Sequence, residues 1–171
     1  MTLEYMKQAL LGALESLNIL SKSPRIRLYD AAVASIGRDA SPNDVAPDEY
    51  GCAESVYELF RVGLKLRLGP TPIVSTRSLL AALRQSRFFT QVQSPLPGDI
   101  VIAATGDGNG VIKNGHCGVV GRMFGPDGTL WVMSNDSRLK TFEVNFTLGS
   151  FNRYYGVKGG YPIYYFTPVN L

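Results

Sequence analysis

Residues 95–104, Pro95-Leu96-Pro97-Gly98-Asp99-Ile100-Val101-Ile102-Ala103-Ala104, divide the chain into two regimes. Two prolines and a glycine within four residues stop a helix. The five apolar residues that follow, three of them β-branched, read as a short buried strand. On the N-terminal side of this point, apolar residues recur at helical spacing. Tyr5, Met6, Ala9, Leu10, Ala13, Leu14 and Leu17 line one face of a helix over residues 3–19. Tyr29, Ala32, Val33 and Ile36 line a second, with Gly37 as its terminator. Ala53, Val56, Tyr57, Phe60 and Leu64 form the stripe of a third, over about residues 52–66, and Gly69-Pro70 closes it. Ser75 is placed as the N-cap of a fourth helix carrying Leu79, Leu80 and Leu83. On the C-terminal side the chain breaks into strand-like runs at residues 100–104, 116–123, 129–134, 142–146 and 161–167. Glycine-rich turns at 106–110 and at Gly125-Pro126-Asp127-Gly128 separate the first three. The layout predicts an α+β fold in which N-terminal helices pack on an antiparallel sheet of about five strands. Residues 1–24 read as an N-terminal helical extension and residues 25–171 as the main domain.

Composition narrows the function. With 171 residues, 45% hydrophobic and 18% charged, the chain has the size and composition of one globular domain. Two cysteines cannot build a disulfide scaffold, and one histidine cannot supply a multi-histidine metal site, so no metal and no cofactor is expected. The net charge of +3 is mild. Arg61, Lys65, Arg67, Arg77, Arg84 and Arg87 are interleaved with acids on helical segments and read as a solvated face, so no nucleic-acid partner is expected. No segment approaches the ~18–20 uninterrupted apolar residues that span a bilayer. The first residues lack the basic and apolar regions of a secretory signal. The expectation is a monomer made in the cytoplasm without a signal peptide, with any action outside depending on delivery by something else.

Cys52 lies in Tyr50-Gly51-Cys52-Ala53-Glu54-Ser55-Val56, at the first turn of the third helix. Unpaired N–H groups and the positive end of the helix dipole favour thiolate there. Counting back four from Val56 turns the sulfur toward whatever the helix packs on. His116 opens the second strand, in Gly115-His116-Cys117-Gly118-Val119-Val120. Strand alternation puts His116, Gly118 and Val120 on one side and Cys117 and Val119 on the other. If His116 faces Cys52, Cys117 is expected to face away, and a Cys52–Cys117 disulfide is hard to reconcile with that pairing. A cysteine nucleophile needs a base, and the base needs a third group to hold its ring. Ser134-Asn135-Asp136-Ser137 ends the third strand. Asn135 shares a face with Trp131 and Met133, and Asp136 shares one with Val132 and Ser134, so either could meet the imidazole.

A cysteine at a helix start, Pro97-Gly98-Asp99-Ile100-Val101, Gly115-His116-Cys117-Gly118-Val119-Val120 and then Trp131-Val132-Met133-Ser134-Asn135-Asp136-Ser137 stand in an order that resembles the CHAP domain. This is the cysteine, histidine-dependent amidohydrolase/peptidase branch of the papain-like NlpC-type hydrolases. The likeness spans about Tyr29 to Phe166 and leaves the first helix outside. It implies Cys52 as nucleophile, His116 as base and Asn135 as the polar third residue. It also implies amide-bond hydrolysis in bacterial peptidoglycan, often by phage lysins or virion-associated lytic factors. Tyr50 is a candidate second oxyanion donor beside the Cys52 backbone N–H. No calcium loop is read from the sequence; the fallback site would involve Asp39, Asp44 and Asp48, and Asp107-Gly108-Asn109-Gly110 reads as a hairpin turn. The alternative is a catalytically inactive CHAP-like structural or wall-binding virion protein, favoured by the acidic neighbours Asp48, Glu49 and Glu54. Glu54 is expected to face away from the sulfur around the helix.

Overall fold

Pro24 opens a helix. It occupies the first turn of α1 (Pro24–Ser35), where its missing N–H costs nothing, and the Ser23 hydroxyl caps that turn by accepting from Ile26 N. The computed structural model describes residues 22–39, 50–69 and 71–171. The helix read over residues 3–19, and most of the polar loop before Tyr50, lie outside the described residues. α2 (Cys52–Leu59) runs on as a π-helical segment, Phe60–Leu64, and stops at Lys65, whose φ of 56° is left-handed. α3 (Thr76–Gln85) is capped as its sequence requires, with Ser75 Oγ accepting from Ser78 N at 3.1 Å.

The sheet has six antiparallel strands, β1 (Phe89–Val92), β2 (Ile100–Ala103), β3 (His116–Phe124), β4 (Leu130–Asp136), β5 (Thr141–Thr147) and β6 (Ile163–Pro168). Their order is β1-β6-β2-β3-β4-β5. The five expected strands are present. The sixth, β1, is a four-residue edge strand paired with β6, too short for its alternation to show in the sequence.

Alternate residues of the strands enter two different cores. Ile100, Ile102, Cys117, Val119, Met133 and Phe142 face α1–α3, where they meet Leu28, Val56, Phe60, Leu79 and Leu83. Val101, Ala103, Val120 and Val132 face the other way, onto Phe151, Tyr155 and Tyr161. That second cover comes from α4 (Leu148–Phe151) and its π-helical continuation Asn152–Lys158, a segment with no helical reading in the sequence. Thr147 and Ser150 form a capping box at its start. Covered on both faces, β2 is buried at every position, which accounts for its unbroken apolar run.

The basic side chains of the helical half do not form one field. Arg61 pairs with Glu58 at 2.6 Å, Arg77 reaches Asp107 at 3.5 Å, and the Arg84 guanidinium lies 4.5 Å above the Tyr164 ring. No described helix is long and apolar enough to cross a membrane.

Candidate active site

Gly51 precedes α2 and offers no side-chain cap, so Cys52 begins the helix with its own N–H lacking an intrahelical partner. The α2 stripe of Ala53, Val56, Tyr57 and Phe60 anchors the helix on the sheet. That packing holds the sulfur above the end where β2 stops and β3 starts. Ala103, the last residue of β2, pairs with His116, the first of β3. The His116 imidazole and the Cys117 thiol both act on the Cys52 sulfur from this end of the sheet. The Cys117 hydrogen bond, followed by the imidazole, holds the Cys52 thiol well below its usual range, outweighing the opposite pull of burial. Burial, and then the bond and charge of Cys52, push Cys117 well above that range. Of the two thiols, Cys52 is thus the one biased toward thiolate and Cys117 the one biased toward S–H.

Aromatic rings enclose the imidazole. Tyr155 stacks on it at 5.5 Å and 10°, and Phe146 tilts against it at 5.6 Å. Its Nε2 lies 2.9 Å from Ser134 Oγ. The Ser134 hydroxyl donates to Asn145 Oδ1 at 2.6 Å, and Asn145 Nδ2 donates to the Asn135 carbonyl at 3.0 Å. His116 is 9% exposed and Cys52 7%, and both open onto one cleft of about 1000 Å³. The charged residues of its wall, among the described residues, are Arg77, Lys113, Arg138 and Asp136.

A chain of the crystal structure of the type VI native effector–immunity complex Tae3–Tai3 from Ralstonia pickettii is similar to this protein, with a TM-score of 0.50 and 18% sequence identity. The match covers 85% of this chain and 98% of that one. The likeness is one of fold. No family model and no curated protein matches the chain.

The structure brings Cys52 and His116 together and rearranges what surrounds them. Cys117 does not face away from Cys52. Alternation holds, since Cys117 enters the helix-side core and His116 the opposite aromatic one, but α2 starts at the end of the sheet, where it meets both. The ring hydrogen bond goes to Ser134, where Asn135 was expected. Val119 pairs with Met133 and Val120 with Val132. Continued toward His116, this register sets Ser134 opposite Gly118, on the imidazole's own face, and puts Asn135 on the Cys117 face. Asn135 is buried and lines the cleft. Asp136 is occupied in its own turn, its Oδ1 accepting from the N–H groups of Arg138 and Leu139 at 2.9 and 3.1 Å. Tyr50 stands on the cleft wall, 56% exposed. Glu54 is fully buried.

Three residues with no role in the sequence reading belong to the site: Ser134, Asn145 and Tyr155. Ser134 adjoins the expected position, and the register would have found it. Asn145 sits at a β-bulge, where the pairing of β4 with β5 jumps from Val132↔Phe146 to Met133↔Val144. The bulge turns Phe142 and Phe146, four residues apart, into opposite cores and aims Asn145 at Ser134. Among the described residues no group of three or more His, Cys, Asp or Glu could hold a metal ion.

Proposed function

We propose that this protein is a papain-like cysteine amidohydrolase or peptidase that cleaves amide bonds of bacterial peptidoglycan, with Cys52 as nucleophile and His116 as general acid and base. The observation that carries the reading is the Cys52 sulfur at a helix start, biased toward thiolate by the only imidazole of the chain and by Cys117, with Cys52 and His116 lining one large cleft. In the reaction the imidazole takes the Cys52 proton and the sulfur attacks the amide carbonyl carbon. The Cys52 backbone N–H, lacking an intrahelical partner, is available to the developing oxyanion. The imidazolium then gives its proton to the leaving amine, and a thioester remains on Cys52. Water, deprotonated by the imidazole, hydrolyses the thioester and returns the thiol.

Arg77, Lys113 and Arg138 keep the cleft wall net positive, although Arg77 and Arg138 are shared with Asp107 and Asp136 at 3.5 and 3.7 Å, and this suits a peptide that carries free carboxylates, as stem peptides do. The fold likeness to a chain from an effector–immunity complex is consistent with a protein partner for this chain as well. Purified peptidoglycan incubated with the wild type and with Cys52→Ala, followed by mass spectrometry of the fragments, tests the reading. New amine and carboxyl ends are expected with the wild type alone. An intact substrate, or equal cleavage by Cys52→Ala, favours the non-catalytic wall-binding alternative or another nucleophile.

A further inference from the structure

We infer that Ser134 and Asn145 form a neutral relay that positions His116, fixing its neutral ring as the Nε2–H tautomer so that Nδ1 is the basic nitrogen turned to Cys52. This deepens the proposed cysteine chemistry and rests on that reading for its catalytic meaning, but the tautomer is a property of the resting protein.

The inference follows from counting protons along the chain of bonds. Asn145 lies 3.0 Å from a main-chain carbonyl, that of Asn135, which can only accept. The atom facing it must therefore be the amide nitrogen, and Oδ1 must face Ser134. Oδ1 can only accept, so the single hydroxyl proton of Ser134 is committed to it at 2.6 Å. Ser134 Oγ then has only lone pairs left for the imidazole, and the 2.9 Å contact is Nε2–H donating to oxygen. In the neutral ring the other nitrogen, Nδ1, carries no proton. With Nε2 taken, Nδ1 is the nitrogen left to meet the Cys52 sulfur.

The groups around the ring leave this arrangement without a competitor among the described contacts. Cys52 approaches from α2, Phe146 from β5, and Phe151 and Tyr155 from the C-terminal helical segment. Burial pushes the Tyr155 phenol upward, so it stays neutral. Asp136, the carboxylate on the cleft wall, is spent on its own turn. A hydroxyl and an amide thus do the orienting that a carboxylate or a single amide does in other triads, and the polarity of the chain ends on a main-chain carbonyl.

The single histidine makes the tautomer directly readable. The probe is the full-length 15N-labelled Cys52→Ala protein, without substrate, at a pH where the imidazole is neutral. Its ring nitrogen shifts and two-bond couplings should show Nε2–H with no detectable Nδ1–H. Adding Ser134→Ala should raise Nδ1–H to about the share it has in a histidine free in solution. Asn145→Leu, at a half-buried site where folding is less at risk, should do the same, and Asn145→Asp, which keeps an acceptor for the serine, should not. In the protein with Cys52 intact, Ser134→Ala should lower kcat tenfold or more with KM held. A dominant Nδ1–H form in Cys52→Ala, or a tautomer unmoved by both Ser134→Ala and Asn145→Leu, overturns the inference. Because the spectrum needs no turnover, a protein that leaves peptidoglycan intact yet shows the Nε2–H ring would sink the functional reading and leave the relay standing.

Discussion

Gly118 shares its strand face with His116, and the space its missing side chain leaves is where β4 comes close. A Cβ there would lie 2.5 Å from Met133 O, 2.8 Å from Ser134 Cβ and 2.8 Å from Val132 Cγ1. The first of these is backbone and cannot rotate away. Carbon–oxygen contacts between strands settle near 3.3 Å, so Gly118→Ala has to move β4 by about 0.8 Å. A shift of that size, directed away from β3, stretches the Ser134–His116 bond from 2.9 Å to beyond hydrogen-bonding range. Overpacking costs about 1–3 kcal/mol and the lost hydrogen bond about 1 kcal/mol, while the stiffer unfolded chain returns about 0.5 kcal/mol. The net, roughly 1.5–3.5 kcal/mol, corresponds to a melting temperature lower by roughly 3–14 °C in a chain of this size. Thermal unfolding by circular dichroism reads the first effect, and the pH profile of Cys52 alkylation reads the second, with its inflection moving up. A variant that melts within 2 °C (roughly 0.5–1 kcal/mol) of the wild type and alkylates with the same profile would refute the view that this glycine sets the approach of Ser134.

Other changes separate the site from its scaffold. Cys117→Ala removes the S–H donor to Cys52, so the inflection of Cys52 alkylation should rise toward the ordinary thiol range; an unchanged profile would show that the imidazole alone sets it. Asp99 accepts from Leu96 N–H at 2.7 Å and from the Thr167 hydroxyl, at the end of β2 remote from His116. Asp99→Ala should cost about 1–3 kcal/mol through the unpaired Leu96 N–H, seen as a lower melting temperature, with Cys52 alkylation unaffected in the folded protein. Asp127, in the β3–β4 turn, accepts from the Thr147 and Thr129 hydroxyls, which with Arg153 draw its carboxyl down to about 2. Its contribution is present above the unfolded value, about 3.9, and fades as pH falls toward 2, so the stability gap between wild type and Asp127→Asn should close over that interval.

What the sequence disclosed and what it hid follow from the range of the interactions involved. Ser75 before an apolar helical stripe, and Cys52 four residues ahead of Val56, are local facts, and the helix starts they predict are present. The run Ile100–Ala103 announced a strand through burial alone, although only the two-sided cover explains why no position is polar. Residues 148–158 escaped because two glycines interrupt a segment whose helix is held by Phe151 and Tyr155 packing on the far side of the sheet, a tertiary effect. The partner of His116 escaped for a related reason. Alternation within one strand gives faces, but setting Ser134 ahead of Asn135 and Asp136 needs the register between β3 and β4, and finding Asn145 needs the bulge in β5. The same gap misplaces Cys117: alternation within β3 holds, but where α2 starts over the sheet is not in the strand's own sequence.

The pH dependence of alkylation at Cys52 tests the Cys52–His116 couple most directly. The folded wild type would be treated with limiting iodoacetamide across the pH range, and the label would be mapped by peptide mass to Cys52 or Cys117. Rapid modification of Cys52, with an inflection well below the usual thiol value of about 8.5 and with Cys117 unlabelled, is the expected result. An inflection at or above that value, or label carried first by Cys117, would contradict it.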